Sequence, residues 1–466
     1  MRIWVTSKVG PTATHDSISG IHVVEERPMN ASESILKLPE YPGSVRAWLV
    51  VVVSCFAAMV SYTDRLILGS LVDPLKHALG VSDAEVSLLQ GIAFALVYVF
   101  AGLYLGRLAD RKRRLTILIA GSILWCIGTV LCGLAPSFWT LFLARVVVGI
   151  GEAALAPAAI SMIADCFPPF RRGTAIGIFM LGYAVGGPAS ITIGGVVLSA
   201  ANAGAFQDLP AIGFLQPWRA ALVLVGLGGL VVPILFMTLQ EPLRQHAAPV
   251  VPVRAMIRRL ATDRISLVPA YVAVALLAVG DYGTLTWMPS LLSRRFAMPP
   301  AEVGHVFGAI TSVAAILGSV LGGLGSDAAG RRHGIQGRLL LGLGAAALAS
   351  VGAALISSAQ AHTSLTGLGL WTLCSVIGAV TGVAVVQSLV PNEFRGVSMA
   401  LLTFCTTLLG LGLGPTFVAL ITEQVYRNDA SVGFAITATA LPSGGLAGMF
   451  FLYSSRTVAV SKLARE

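Results

Sequence analysis

Residues 106–114 read Gly106-Arg107-Leu108-Ala109-Asp110-Arg111-Lys112-Arg113-Arg114, and residues 323–332 read Gly323-Leu324-Gly325-Ser326-Asp327-Ala328-Ala329-Gly330-Arg331-Arg332. Each stretch is Gly-x-x-x-Asp followed by basic residues, and the two lie 217 residues apart. The same offset pairs Asp64 with Asp281, Glu85 with Glu302, Gly91 with Gly308 and Arg114 with Arg331. Two halves built on one plan are the mark of membrane proteins that rock around a central cavity, so the repeat points to transport.

Composition sets the class. Hydrophobic residues make up 56% of the chain and charged residues only 11%. Apolar stretches long enough to cross the hydrocarbon core recur along its whole length. Strand-like alternation is absent, and backbone groups in lipid must bond internally, so the spans are helices. Twelve are expected: 46–72, 84–109, 115–135, 138–166, 172–201 and 217–240 in the N-terminal half, and 265–292, 300–327, 337–358, 364–390, 395–424 and 431–455 in the C-terminal half. The fold class is therefore an all-α membrane protein of two pseudo-symmetric six-helix bundles.

The expected division is a mobile tail over 1–44, a bundle over 45–240, a linker over 241–264, a bundle over 265–456 and a tail over 457–466. Met29 is an alternative start. The stretch Arg254–Arg264 reads equally as a short amphipathic surface helix or as plain linker. Basic residues collect on one side, at Arg111–Arg114, Arg171–Arg172, Arg254–Arg264, Arg331–Arg338 and Arg395. The other side holds few: Lys76, Arg219, Arg294, Arg295 and Arg427. The rich side is expected to be cytoplasmic with both termini, in an inner or plasma membrane. The net charge of +9 is thus a matter of orientation and does not imply nucleic acid. The six cysteines form no C-x-x-C pair and read as small packing residues.

Several chemistries are excluded by pattern. None of the five lysines follows a glycine, so no phosphate-binding G-x-x-x-x-G-K-[ST] loop exists. No H-E-x-x-H occurs, and His305, His333 and His362 are isolated. No nucleophile–base constellation stands out. No enzyme activity, cofactor or metal is expected.

Charged residues inside the spans carry the functional reading. Span four holds Arg145-x-x-x-Gly149-x-Gly151-Glu152-Ala153, and span one holds Tyr62-Thr63-Asp64-Arg65. Arg145 and Glu152 are seven residues apart and share a helix face. A charge at mid-helix costs about 2.5–3.5 kcal/mol on insertion scales, so it should face a partner or water. Counting the rise from each end places Asp64, Arg145 and Glu152 toward the outer half of the membrane, where they could converge. Burial favours the protonated carboxyl and a nearby guanidinium the ionised one. Asp64 and Glu152 could alternate between these settings with Arg145 as counter-charge; a static buried ion cluster is the competing reading.

The repeated loop motif resembles the signature G-x-x-x-D-R-x-G-R-R of the major facilitator superfamily. Arg113 stands in the glycine position of the first copy, and Ala328 replaces the basic residue of the second. The likeness implies a gating latch at Gly106, Asp110, Arg111 and Arg114, and a weaker one at Gly323, Asp327 and Arg331. Tyr62–Arg65, the Arg145–Ala153 stretch and Ile163-Ala164-Asp165 resemble the spinster branch, linked to sphingolipid and lysophospholipid export. That likeness implies proton coupling at the positions of Asp64 and Glu152, with Arg145 tuning them. Gly186-Gly187-Pro188 in span five resembles an antiporter signature, answered by Gly410, Gly412 and Gly414-Pro415 in span eleven. Helix packing and flexing explain these residues equally well.

Candidate substrate contacts are Arg65, Phe94, Tyr98, Tyr183, Asp281, Tyr282, Trp287, Gln387 and Thr403, with Thr311, Trp371 and Thr407 beside them. Arg65 could bind an anion or snorkel. Asp281 could bind a cationic group, carry a second proton or pair within its own half. Aromatics with few charges suit an amphiphile. The expected partners are protons, a small amphiphilic or lipid substrate and membrane lipids, around a monomer. Proton-driven export is the leading expectation. Import of a small organic anion and a non-transporting receptor on the same fold are the alternatives.

Overall fold

The computed structural model describes residues 41–209, 213–244, 264–390 and 395–463. The expected tail as far as residue 40, Met29, the linker over 245–263 with its candidate surface helix, residues 464–466 and the side chain of Arg395 lie outside the described residues.

Among the described residues there are helices and connections but no strands. Ten helical runs cross a bilayer once. They are spans one Ser44–Ser70, two Asp83–Arg111, three Arg114–Leu134, four Phe138–Cys166, five Arg171–Asn202, six Pro217–Met237, seven Leu267–Phe296, ten Ala361–Leu389, eleven Ser398–Tyr426 and twelve Asp429–Val458. An eleventh run, Pro300–Ile356, has 57 residues and makes two crossings. Arg338 Nε donates to the carbonyl of Ser326 at 3.3 Å, whereas a straight helix would separate residues twelve apart by about 18 Å. The reversal occurs at Gly334, whose φ of 62° admits glycine without strain. Spans eight and nine lie on either side of it, and the twelve-helix fold expected from the sequence is complete.

Local chemistry starts these helices. Ser82 and Glu85 cap each other's backbone at the head of span two, and Ser137 and Thr140 do the same for span four. Proline occupies the first turn of spans six and eight, where its missing N–H is no loss. Glycine sets how closely spans approach. A Cβ on Gly182 of span five would sit 2.1 Å from the carbonyl of Cys55 in span one, and one on Gly414 of span eleven 2.4 Å from that of Val279 in span seven. Span five against one and span eleven against seven are equivalent pairs in the repeat. Gly186 and Gly414, singled out in the sequence, therefore serve close packing here, the first against Met59; Pro188 and Pro415 both lie inside helices, and turns of π-helix flank the second.

The loops at 111–114 and 330–338 mark one end of the molecule, the basic face; the other end is the far face. The two halves meet through spans two and eleven and through spans five and eight. Gly91 presses on the carbonyls of Leu411 and Gly412, and its repeat mate Gly308 on Thr192 and Pro188. Both contacts lie in the far half of the membrane. So do the hydrogen bonds from Thr192 Oγ1 to the carbonyl of Gly304 (2.9 Å) and from the Ala84 amide to Glu423 (3.2 Å). The molecule is drawn together at its far face.

Candidate functional site

The charged residues of spans one and four form one buried group. Asp64, Arg65, Arg145 and Glu152 are each at most 5% exposed. The sequence placed Arg145 opposite the carboxylates; in the structure the guanidinium on Glu152 is that of Arg65. Its Nε and Nη2 donate to Glu152 Oε2 at 3.0 and 2.8 Å. Arg145 points the same way but donates to backbone carbonyls, Nε to Leu89 (3.3 Å) and Nη2 to Arg65 (3.1 Å). The reason is helix geometry: Arg145 lies two turns before Glu152 and first reaches the end of span one and the opening turns of span two. Arg145 thus holds the backbone from which Arg65 projects.

Asp64 Oδ2 accepts from Thr129 Oγ1 of span three at 2.5 Å. Asp64 Oδ1 and Glu152 Oε1 are buried without a hydrogen-bond partner. Fully ionised, the four charges cancel. Burial of such a group is tolerable only when paired, and each carboxylate keeps one unoccupied oxygen.

Aromatic rings surround the pair. The Arg65 guanidinium lies 4.6, 4.5 and 5.2 Å from the ring centres of Phe94, Tyr98 and Tyr62, within cation–π range. Tyr183 meets Tyr62 edge to face at 5.6 Å. The Tyr62 hydroxyl lies 3.0 Å from that of Tyr282 on span seven, so the group borders the divide between the halves. Asp281, the repeat mate of Asp64, accepts from Trp371 Nε1 at 2.9 Å, the within-half pairing that was one of its three readings.

Other candidates lie elsewhere. Trp287 is fully buried and donates to the Pro415 carbonyl at 2.9 Å, a packing contact between spans seven and eleven. Thr311 bonds back to Phe307 in its own helix at 2.7 Å. Thr407 is buried on the first π turn of span eleven. Gln387 and Thr403 are exposed toward the basic ends of spans ten and eleven, away from the Arg65–Glu152 pair.

The repeated loop motif acts through partners the sequence did not suggest. Gly106 approaches Pro157 of span four (3.7 Å from a built Cβ), whereas Gly323 has nothing within 4 Å. Asp110 and Arg111 are exposed, and Arg244 caps the Asp110 carbonyl. Arg114 is the buried member. It pairs with Asp165 at the end of span four and donates to Glu241 (3.2 Å) and to the Pro242 carbonyl (2.9 Å). Glu241 lies just past span six; burial is the largest single influence and pushes its pKa up, but the bonds from the Arg114 backbone and side chain together outweigh it and hold the carboxyl below its ordinary value. In the second copy Asp327 and Arg331 are exposed. The residue that answers Arg114 is Arg338, reaching Ser388 Oγ at 2.5 Å and Asp327 at 3.8 Å. The 217-residue offset therefore does not carry Arg114 onto Arg331. The connection through Gly334 is longer than its counterpart, and span nine starts later in the repeat.

Sequence reasoning missed Thr129, which no motif marks. It also missed a far-face cluster of Asp73, Lys76, Asp83, Arg294 and Asp429. Lys76 and Arg294 stood out only as rare basic residues on that side.

A twelve-helix fold in repeat-related halves, with a neutral ion cluster at the divide, defines a membrane transporter. The chain belongs to the Major Facilitator Superfamily, whose sequence profile matches residues 54–415; it is a transport protein and not an enzyme. Among its relatives is an MFS-type efflux pump of Mycolicibacterium smegmatis, 28% identical over 394 residues that cover 82% of this chain and 86% of that one. Protein spinster homolog 1 of Rattus norvegicus is 26% identical over 457 residues, covering 90% of this chain and 81% of the relative. A solved bacterial homologue of the human lysosomal transporter spinster, inward-facing and unoccupied, superposes with a TM-score of 0.75 at 24% identity, over 89% of this chain and 98% of that one. The spinster likeness read from spans one and four extends over most of the chain.

Proposed function

We propose that this transporter couples inward proton movement to export of a lipid-like or other amphiphilic organic molecule. The observation that carries the reading is the state of Asp64 and Glu152. Each is buried, each has one oxygen bonded and one oxygen free, and the group they belong to reaches the divide through Tyr62, whose hydroxyl meets that of Tyr282. A carboxylate that exchanges a fixed partner for water when the halves rock can load a proton on one side and release it on the other. Arg65 supplies the direct counter-charge and Arg145 fixes its position. The ring-lined surroundings of Arg65 suit an amphiphile. The efflux-pump relative supports an outward direction, and the spinster likeness supports a lipid-like cargo. In this reading residues 45–240 and 265–456 are the two moving bundles, the basic face is cytoplasmic, and a monomer suffices. A membrane potential of about 100 mV would add about 2.3 kcal/mol per charge moved.

The test is flux in proteoliposomes under an imposed pH gradient, after ligand-stabilisation screening of purified protein with lysophospholipids, sphingoid bases and small drugs. Asp64→Asn and Glu152→Gln are expected to bind the hits and to lose gradient-driven accumulation. Full gradient dependence in both variants would remove the coupling role, and proton flux of the opposite sign would mark an importer.

A further inference from the structure

Five charged side chains meet at the far face. Arg294, at the end of span seven, donates Nη1 and Nη2 to the two oxygens of Asp83 at 2.8 and 2.9 Å and Nε to Asp73 at 2.7 Å. Lys76 Nζ reaches Asp83 at 3.3 Å and Asp429 at 2.6 Å. Asp73 and Lys76 sit on the short helix Val72–Leu79, Asp83 opens span two, and Asp429 stands at the head of span twelve. The network thus crosses the divide twice with opposite polarity. A cation of the C-terminal half grips two carboxylates of the N-terminal half, and a cation of the N-terminal half grips a carboxylate of the C-terminal half.

The contrast with the basic face is informative. There Arg114 pairs with Asp165 and Glu241, and Arg338 with Asp327, each within one half. Those contacts stiffen a half but do not hold the halves together in this conformation. The far-face pairs do. We infer that Arg294 and its carboxylates form the lock of the far-side gate, and that the gate opens only when Arg294 leaves Asp83.

The members are unequal. The side chain of Asp83 is 0% exposed and held by a two-pronged guanidinium contact, the arrangement in which charge pairing is strongest. Asp429 is 57% exposed, so its pair with Lys76 is screened and contributes little. Arg294 is therefore the keystone and Lys76 an accessory. Opening lets water reach Asp83, which offsets part of the lost pairing, so the lock is releasable. Beneath it the Tyr62–Tyr282 hydroxyl contact adds a second, uncharged layer. This inference needs only alternating access and stands or falls apart from proton coupling and cargo.

The experiment places spin labels at Ala203→Cys and Ala359→Cys, exposed far-face positions in opposite halves. The background has the half-exposed Cys55 and Cys405 replaced by alanine, and the full chain is studied in lipid nanodiscs without substrate. Unmodified Arg294 should give a distribution dominated by one short distance. Arg294→Gln and Asp83→Asn should each raise the long-distance population about tenfold or more relative to the short one, the effect of roughly 1.4 kcal/mol. Arg294→Lys should restore part of the short distance, and Lys76→Gln should shift it less than about threefold. The inference is overturned if Arg294→Gln and Asp83→Asn leave the distances unchanged. It is equally overturned if Lys76→Gln shifts them as much as Arg294→Gln, or if the unmodified protein already sits at the long distance. Should Arg294→Gln not fold, Arg294→Lys against Asp83→Asn carries the same comparison.

Discussion

Replacing Arg65 by methionine removes the counter-charge of Glu152, whose side chain has no exposed surface. Removing one partner of a buried pair costs about 3–5 kcal/mol, because the remaining charge is stranded. Arg65 also loses its contacts with Phe94, Tyr98 and Tyr62, each about 0.5–2 kcal/mol at most and not additive. The stranded carboxylate dominates. Replacing both partners strands nothing, and two methionines fill similar volume, so the double variant Arg65→Met/Glu152→Met is expected to be more stable than Arg65→Met alone, by about 2 kcal/mol or more. The assay is equilibrium unfolding in mixed detergent micelles, followed by tryptophan fluorescence, across the full double-mutant cycle. All three variants should lose coupled transport, so stability and function separate cleanly. Strict additivity, with the double variant less stable than either single one by the sum of both losses, would refute the direct pairing of Arg65 with Glu152.

Three further outcomes follow from the geometry. Gly91→Ala places a Cβ 2.7 Å from a rigid backbone carbonyl, whereas the nearest atom facing Gly308→Ala is the rotatable Thr192 hydroxyl. The first should therefore cost about 1–3 kcal/mol in unfolding measurements and open the far face, and the second clearly less. Arg338→Gln should lower stability by about 1–2 kcal/mol, while Arg331→Gln, at an exposed position, should stay within about 0.5 kcal/mol; the reverse order in thermal unfolding would mean that the repeat offset does hold there. Glu241 is held below its ordinary value, so its contribution is present at neutral pH and lost as pH falls below about 4.5 and through its own value. Protease nicking after span six should increase over that acidic window, and Glu241→Gln should show the increased nicking already at neutral pH.

How much of this was legible in the sequence differs by feature. The twelve spans were, because a lipid environment imposes one length and one polarity on every crossing, and only at Gly334 does helix continuity blur two of them. Asp64, Arg145 and Glu152 were legible as a group, since a charge in an apolar span must find company. Which guanidinium meets which carboxylate was not. Arg65 and Arg145 lie on different helices, and their reach depends on an axial offset of a few ångströms that no spacing rule contains. Thr129 was invisible for the same reason: a threonine in a span is ordinary until the carboxylate opposite it is known. The far-face network was hidden because its members come from three separate connections, and each alone looks like a residue at a helix end.

The repeat explains the packing better than it explains the chemistry. Gly91 and Gly308 do the same work in the two halves, and so do the glycines that bring span five to span one and span eleven to span seven. Asp64 and Asp281 do not. Asp64 stands next to Arg65 and shares a buried cluster with a second guanidinium and a second carboxylate, while Asp281 makes no ion pair among the described residues and accepts from a neutral tryptophan. Equivalent backbones thus keep equivalent contacts, because both halves must slide along the same surfaces. The buried charges are concentrated in one half, and under the proposed coupling, movement against an uncharged partner would change their access to water without tearing apart ion pairs that cross the divide at their own depth. Pairs that do cross are kept to the far rim, where water is close enough to replace them.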